Sequence, residues 1–117
     1  MKIFNIGQFI TRRLQDITTN LYPVVAPVNT VFPFVVYRRT GGQAINRDKD
    51  VEEESVVVEI KVVDTSYANS ISLINSITDS LIGYCDYNIT RIMLLSTSEE
   101  FYDESFIQNI VIQIDLE

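Results

Sequence analysis

Residues 56–82 read VVVEIKVVDTSYANSISLINSITDSLI, and the rest of the chain is arranged around them. The stretch opens as a strand. Successive side chains of a strand point to opposite faces, so Val56, Val58, Ile60 and Val62 share one face and Val57, Glu59, Lys61 and Val63 the other. One face is wholly apolar and the other mixed, the pattern of a sheet covered by helices on one side. Asp64-Thr65-Ser66 turns the chain, and Thr65 or Ser66 can cap a helix over residues 66–82. Tyr67, Ile71, Ile74, Thr78, Leu81 and Ile82 fall on one stripe at 3.6-residue spacing. Leu73 lies roughly 110° from the stripe's centre, an exposed position where a neighbouring subunit could dock. Gly83 suits the left-handed residue that ends a helix.

Working outward, this strand begins near residue 51 and is preceded by FVVYRRT, residues 34–40, which is aromatic and β-branched and reads as its hairpin partner. The connection GGQAINRDKD, residues 41–50, reads as a polar loop at the end of an extended β-hairpin arm. Its Gly41-Gly42 pair is not a phosphate loop, because no Lys-Ser/Thr follows and the next element is a strand. Upstream, Pro23, Pro27 and Pro33 punctuate an extended segment with a short edge strand expected over 24–28. A first helix is expected over 5–19, capped by Asn5, with Ile6, Ile10, Leu14 and Ile17 inward. Arg13 stands at the stripe's edge, where its stem can cover apolar surface while its head stays in water. Downstream come a strand over 89–97 (Ile92 and Leu94 on one face, Ile89, Met93 and Leu95 on the other), an acidic turn over 99–105 and a last strand over 106–117. The element order is α-β-β-β-α-β-β: a single α+β domain spanning 1–117, with a mostly antiparallel sheet and two helices packed on one face.

The 117 residues carry a net charge of −7 and no histidine. A histidine-based triad or the usual zinc site therefore has no parts, and the carboxylates fall in expected turns and exposed strand faces rather than across a cleft. The chain reads as a non-enzyme with no cofactor and no metal. The acidic balance argues against a nucleic-acid footprint, which needs clustered Lys and Arg. One cysteine, Cys85, excludes an internal disulfide and reads as a small packing residue. The N-terminal apolar run is too short for a signal peptide or membrane span, so no membrane partner is expected. Seven of the sixteen acidic residues sit in two clusters, Glu52-Glu53-Glu54 and Glu99-Glu100 with Asp103-Glu104, while arginines pair at Arg12-Arg13 and Arg38-Arg39.

In order and spacing the chain resembles the tail-completion, or tail terminator, proteins of tailed bacteriophages. The resemblance rests on the amphipathic first helix, on LYPVVAPVNTVFPFVVYRRTG with its Tyr22-Pro23 and Pro33-Phe34-Val35-Val36-Tyr37, on the strand running into Asp64-Thr65-Ser66-Tyr67-Ala68 and a helix, and on a last strand after an acidic turn. It covers nearly the whole chain and departs at Val63-Asp64, where family members often carry an aromatic. It implies a structural virion protein, located in the tail or neck and assembled in the host cytoplasm. It further implies a homo-oligomeric ring, typically a hexamer, that caps the tail tube and joins it to the head connector. The implied partners are further copies of itself, the tail tube protein and a connector or neck protein, with DNA passing through unbound.

Two expectations about residues follow. An acidic cluster, either Glu52 to Glu54 or Glu99, Glu100, Asp103 and Glu104, lines the channel and repels DNA by like charge, screened beyond about 8 Å at physiological salt. Arg38 and Arg39 meet acidic residues of the next protomer, since paired arginines at a strand end suit carboxylate recognition; Glu59, Lys61 and Leu73 complete the candidate contact surface. The competing reading is a small acidic cytosolic ligand-binding or regulatory adaptor, for which an apolar pocket between helices and sheet is expected.

Overall fold

The computed structural model describes residues 3–47 and 50–117. The elements are α1 (Ile6–Leu14), β1 (Leu21–Pro23), β2 (Phe34–Arg47), β3 (Asp50–Asp64), α2 (Tyr67–Leu81), β4 (Ile89–Tyr102) and β5 (Ser105–Leu116). They form one five-stranded sheet in the order β1-β2-β3-β5-β4, antiparallel except for the parallel β1–β2 pair. The expected α+β architecture and element order are both present. β3 lies at the centre because its inward face is apolar without interruption: Val56, Val58, Ile60 and Val62 are fully buried, together with Ile110, Ile112 and Ile114 of the neighbouring β5. Both helices cover this face, and Phe9, Ile10 and Leu14 of α1 and Ile74, Ile77 and Leu81 of α2 complete the core. Each such side chain taken out of water stabilises the fold by about 1.5–3 kcal/mol before chain entropy is charged against it. On the other face Val57, Glu59, Lys61 and Val63 are only half-buried.

Both helices start as their caps require. The Asn5 side chain accepts from the Gln8 amide at 3.0 Å and Ser66 Oγ from the Asn69 amide at 3.3 Å. Ser66, not Thr65, is therefore the cap, while buried Asp64 accepts from the Thr65 amide at 2.7 Å. α1 ends at Leu14, short of residue 19, because Asp16 opposes the helix dipole and Ile17, Thr18 and Thr19 are β-branched. α2 is rolled from the expected stripe: Ser70, Ile74, Ile77 and Leu81 face inward, Tyr67 is exposed, and Leu73 packs half-buried against the core instead of standing free. Gly83, at φ +84, ends the helix as expected.

Five further readings are corrected. The edge strand is Leu21–Pro23, not 24–28, and it runs parallel to β2. The segment 41–50 is strand up to Arg47 and again from Asp50, paired with a register shift between Gln43 and Ala44, while residues 48–49 of the expected loop lie outside the described residues. The acidic turn narrows to Asp103-Glu104, both at positive φ, since β4 continues through Tyr102. In β4 a bulge between Ile89 and Arg91 turns both Ile89 and Ile92 inward, whereas Leu94 and Leu95 are exposed; strict alternation cannot anticipate an extra residue. Cys85 is exposed, not packed.

β5 pairs with β3 from Ser55 to Asp64, whereas β2 pairs with β3 down to Asp50. The β2–β3 ribbon therefore projects past the sheet as an arm, and the described chain measures 51 × 28 × 23 Å.

Candidate assembly surfaces

Alternation along β2 and β3 brings Arg38, Glu59 and Lys61 together on the uncovered face. Arg38 Nε lies 3.1 Å from Glu59 Oε1 and Lys61 Nζ 3.8 Å from the same oxygen. Arg38 keeps 53% of its side chain exposed, so it can take a second carboxylate. Arg39 does not join them. It pairs in register with Val58 on the helix-bearing side, forms an ion pair with Glu53 and donates to the Phe4 carbonyl at 2.6 Å. Glu53 in turn accepts from the Phe4 amide at 2.6 Å. Arg39 and Glu53 thus fasten the N-terminal segment to the base of the arm, and the carboxylate expected from a neighbour is supplied within the subunit.

Arg13 also finds its partners inside the subunit. Its guanidinium donates to the Ser80 carbonyl at 2.6 Å and stacks 4.2 Å from the centre of the Tyr84 ring, while Ser80 Oγ donates back to the Arg13 carbonyl at 3.2 Å. The head expected in water instead locks the end of α1 to the end of α2.

The two acidic clusters stand at opposite ends of the sheet. Glu52 and Glu54 are at the base of the arm, and Glu100, level with Val63 through Ile107, is at the far end. From Glu54 to Asp64 along β3 is about 33 Å at 3.3 Å per residue. Glu99 is engaged within the fold, accepting from Tyr67 Oη at 3.0 Å and from Gln108 Nε2 at 3.0 Å, and this ties β4 to the first turn of α2. The hydrogen bond to Glu99, helped by its charge and by burial, raises the Tyr67 phenol above its ordinary value. Glu100, Asp103 and Glu104 are exposed.

On the uncovered face near the other end, Asp115 accepts from Gln113 Nε2 at 2.8 Å and from Arg91 Nε at 3.0 Å. The Gln113 hydrogen bond first, and the Arg91 bond and charge after it, hold its carboxyl below the ordinary 3.8 despite partial burial. Stability from a depressed carboxyl is complete above its unfolded value and disappears as pH falls through the folded one. Asp115→Asn should therefore lower the urea midpoint modestly at pH 6. The gap from wild type should close as pH falls below the ordinary carboxyl value of 3.8 and on through the lower folded one; a gap independent of pH would contradict this account.

Two surfaces went unseen in the sequence. A groove of about 380 Å³ runs between α2 and the edge strand β4, lined by Ile71, Ile74, Leu94 and Ile110 with Thr97 and Glu99. At the opposite edge, the loop after β1 exposes Val24, Val25, Val28, Val31 and Phe32. The signal for the loop was present in VVAPVNTVF, an uncharged apolar run with no fixed period between two prolines. The groove leaves no such trace, because α2 and β4 are brought side by side by the strand order of the sheet, with Tyr67 and Glu99 touching across the gap. Among the described residues no group of three acidic or cysteine side chains is placed to hold a metal, and no helix is long and apolar enough to cross a membrane.

No protein-family model matches the sequence, and no curated protein matches it. In three dimensions the chain is similar to a chain in the virion of a native gene transfer agent particle. The TM-score is 0.61 over 92% of this chain and 84% of that one, at 12% identity. At that identity the likeness is one of fold.

Proposed function

We propose that this chain is a structural virion protein that forms a homo-oligomeric ring at the head–tail joint, ending the tail tube and joining it to the head connector. The observation that carries the reading is the fold shared, over nearly the whole chain, with a component of a gene transfer agent virion. The subunit's shape suits assembly. One sheet face is uncovered, a β-ribbon projects past the sheet, and β4 presents an edge that, among the described residues, pairs only on its β5 side. Edges of this kind are ready templates for another chain.

With Glu53 and Glu99 engaged internally and the two acidic ends far apart, the channel-lining role falls to Glu52 and Glu54 at the arm base. Glu100, Asp103 and Glu104 are left to face a neighbouring subunit. Sedimentation, followed by electron microscopy of the purified chain alone and with tail tube protein, tests the proposal. The expected result is a discrete ring, six-fold by preference, with Glu52 and Glu54 toward its lumen. Only monomers under both conditions would overturn the ring. A ring with those carboxylates on its outer wall would remove the lining role alone.

The α2–β4 groove favours a second reading, a ligand-binding module, since apolar clefts of this size take small molecules. A monomer whose groove binds an apolar small molecule would support that reading instead.

A further inference from the structure

We propose that the apolar loop of residues 24–32 on one subunit seats in the groove between α2 and β4 of a second copy, joining copies head to tail. The proposal rests on the reading of the chain as a self-assembling subunit and names the surfaces involved.

The loop is built to point away from its own core. Val24 takes φ +65, a conformation that strains a β-branched residue. Its amide is nevertheless held by the Tyr37 carbonyl at 2.8 Å, and the Val25 amide by the Pro23 carbonyl at 2.7 Å. At the far end Asn20 Nδ2 donates to the carbonyls of Val31 at 2.8 Å and Pro33 at 3.0 Å. A segment pinned at both ends loses little freedom on docking. What it presents is apolar: Val25 is 73% exposed, Val28 90% and Val31 73%, and residues 24–32 carry no charge. Several exposed apolar side chains on one short loop mark an interaction site.

Loop and groove lie level on opposite edges of one sheet. Pro23, from which the loop departs, is in register with Tyr37, then Ile60, then Ile110, then Thr97 of the groove wall. Charge agrees with the match. Arg38 and Lys61, which share the single carboxylate of Glu59, line the surface beside Val24 and leave it one positive charge in excess, while Glu99 lines the groove and exposed Glu100, Asp103 and Glu104 follow it along the end of β4 and its turn. Such complementarity fixes register between partners. Because the two surfaces differ and sit on opposite edges, the contact is heterologous, and a repeated heterologous contact closes into a ring or runs on as a filament.

The test is disulfide trapping in a Cys85→Ser background, which removes the exposed native thiol. Chains carrying Val28→Cys are mixed with chains carrying Thr97→Cys at about 1 mM, where even a contact with a millimolar Kd is populated, and then oxidised. The expected product is a linked dimer containing one chain of each kind, at least ten-fold above the linked species from either variant alone. A second arm uses Val28→Asp with Val31→Asp. Both sites are exposed, so the fold should persist by circular dichroism, and self-association should weaken at least ten-fold. If the unmodified chain forms oligomers but neither effect is seen, copies meet by other surfaces: the proposal is overturned and the ring reading stands. If the chain is monomeric at that concentration and no mixed dimer forms, the proposal is overturned and the ring reading loses its self-association. If an apolar dye fills the groove equally in wild type and the double aspartate variant without competing with self-association, the groove belongs to a small ligand and the proposal is again overturned.

Discussion

Ile60→Ala is expected to destabilise the chain by about 3–5 kcal/mol, near the top of the range for truncating a buried aliphatic side chain. Ile60 is fully buried at the middle of the central strand, between Tyr37 on β2 and Ile110 on β5. Rigid sheet on both sides and helices above leave the site little room to collapse around the lost methyl groups, so the cavity term adds to the transfer term. For a chain of this length the melting temperature should fall by roughly 10–20 °C. Val57→Ala is the companion, since Val57 lies on the uncovered face and is only half-buried; its cost should stay below about 1 kcal/mol. Urea unfolding of the two variants measures the contrast. Equal losses would mean that the helices do not seal one face of the sheet more than the other.

Gly42→Ala is expected to cost about 2–4 kcal/mol, from backbone strain of roughly 1–3 kcal/mol with a steric clash added. Gly42 sits at φ +149, and a methyl group there would stand 2.4 Å from the Ser55 carbonyl oxygen and 3.2 Å from Val56 Cα. Both neighbours are backbone of β3, so relief requires the two strands of the arm to part. Amide exchange at Gln43, Ala44 and Ile45 should therefore quicken along with the loss of stability. Gly41 provides the control, because nothing lies within 4 Å of a methyl group placed on it. Gly41→Ala should be neutral or gain up to about 1 kcal/mol by restricting the unfolded chain. Similar behaviour of the two variants would contradict the close approach at Gly42.

The sequence was most legible where one rule acts alone. The apolar face of β3, the caps Asn5 and Ser66 and the helix end at Gly83 follow from side-chain period and local hydrogen bonding, and each stands where it was expected. Expectations that assume solvent for a charged or loosely patterned residue depart from the structure. Arg13 and Arg39 were placed toward water or a neighbour, yet each binds a carbonyl of its own chain that no local pattern reveals. Leu73 was placed on an open flank, but α2 is rolled because Ile77 and Ser70 also need the sheet. The strand-prone VVAPV was expected to pair and instead stands outside the sheet, since β1 ends at Pro23 and turns away at Val24.

Of the candidate contact surface, the sequence alone determined that Glu59 and Lys61 share a face, because side chains alternate along a strand; the pairing of β2 with β3 decided that Arg38 joins them. The sequence also determined the fold class, since a one-sided strand joined to a one-sided helix must bury both apolar faces together. Tertiary structure alone decided that Arg39 and Glu53 are spent within the subunit, that the two acidic clusters lie at opposite ends, and that an apolar loop and an apolar groove stand level on opposite edges. The physical reason is separation along the chain. Period and capping act over a few residues, whereas each of these outcomes depends on residues brought together by strand register across the whole sheet.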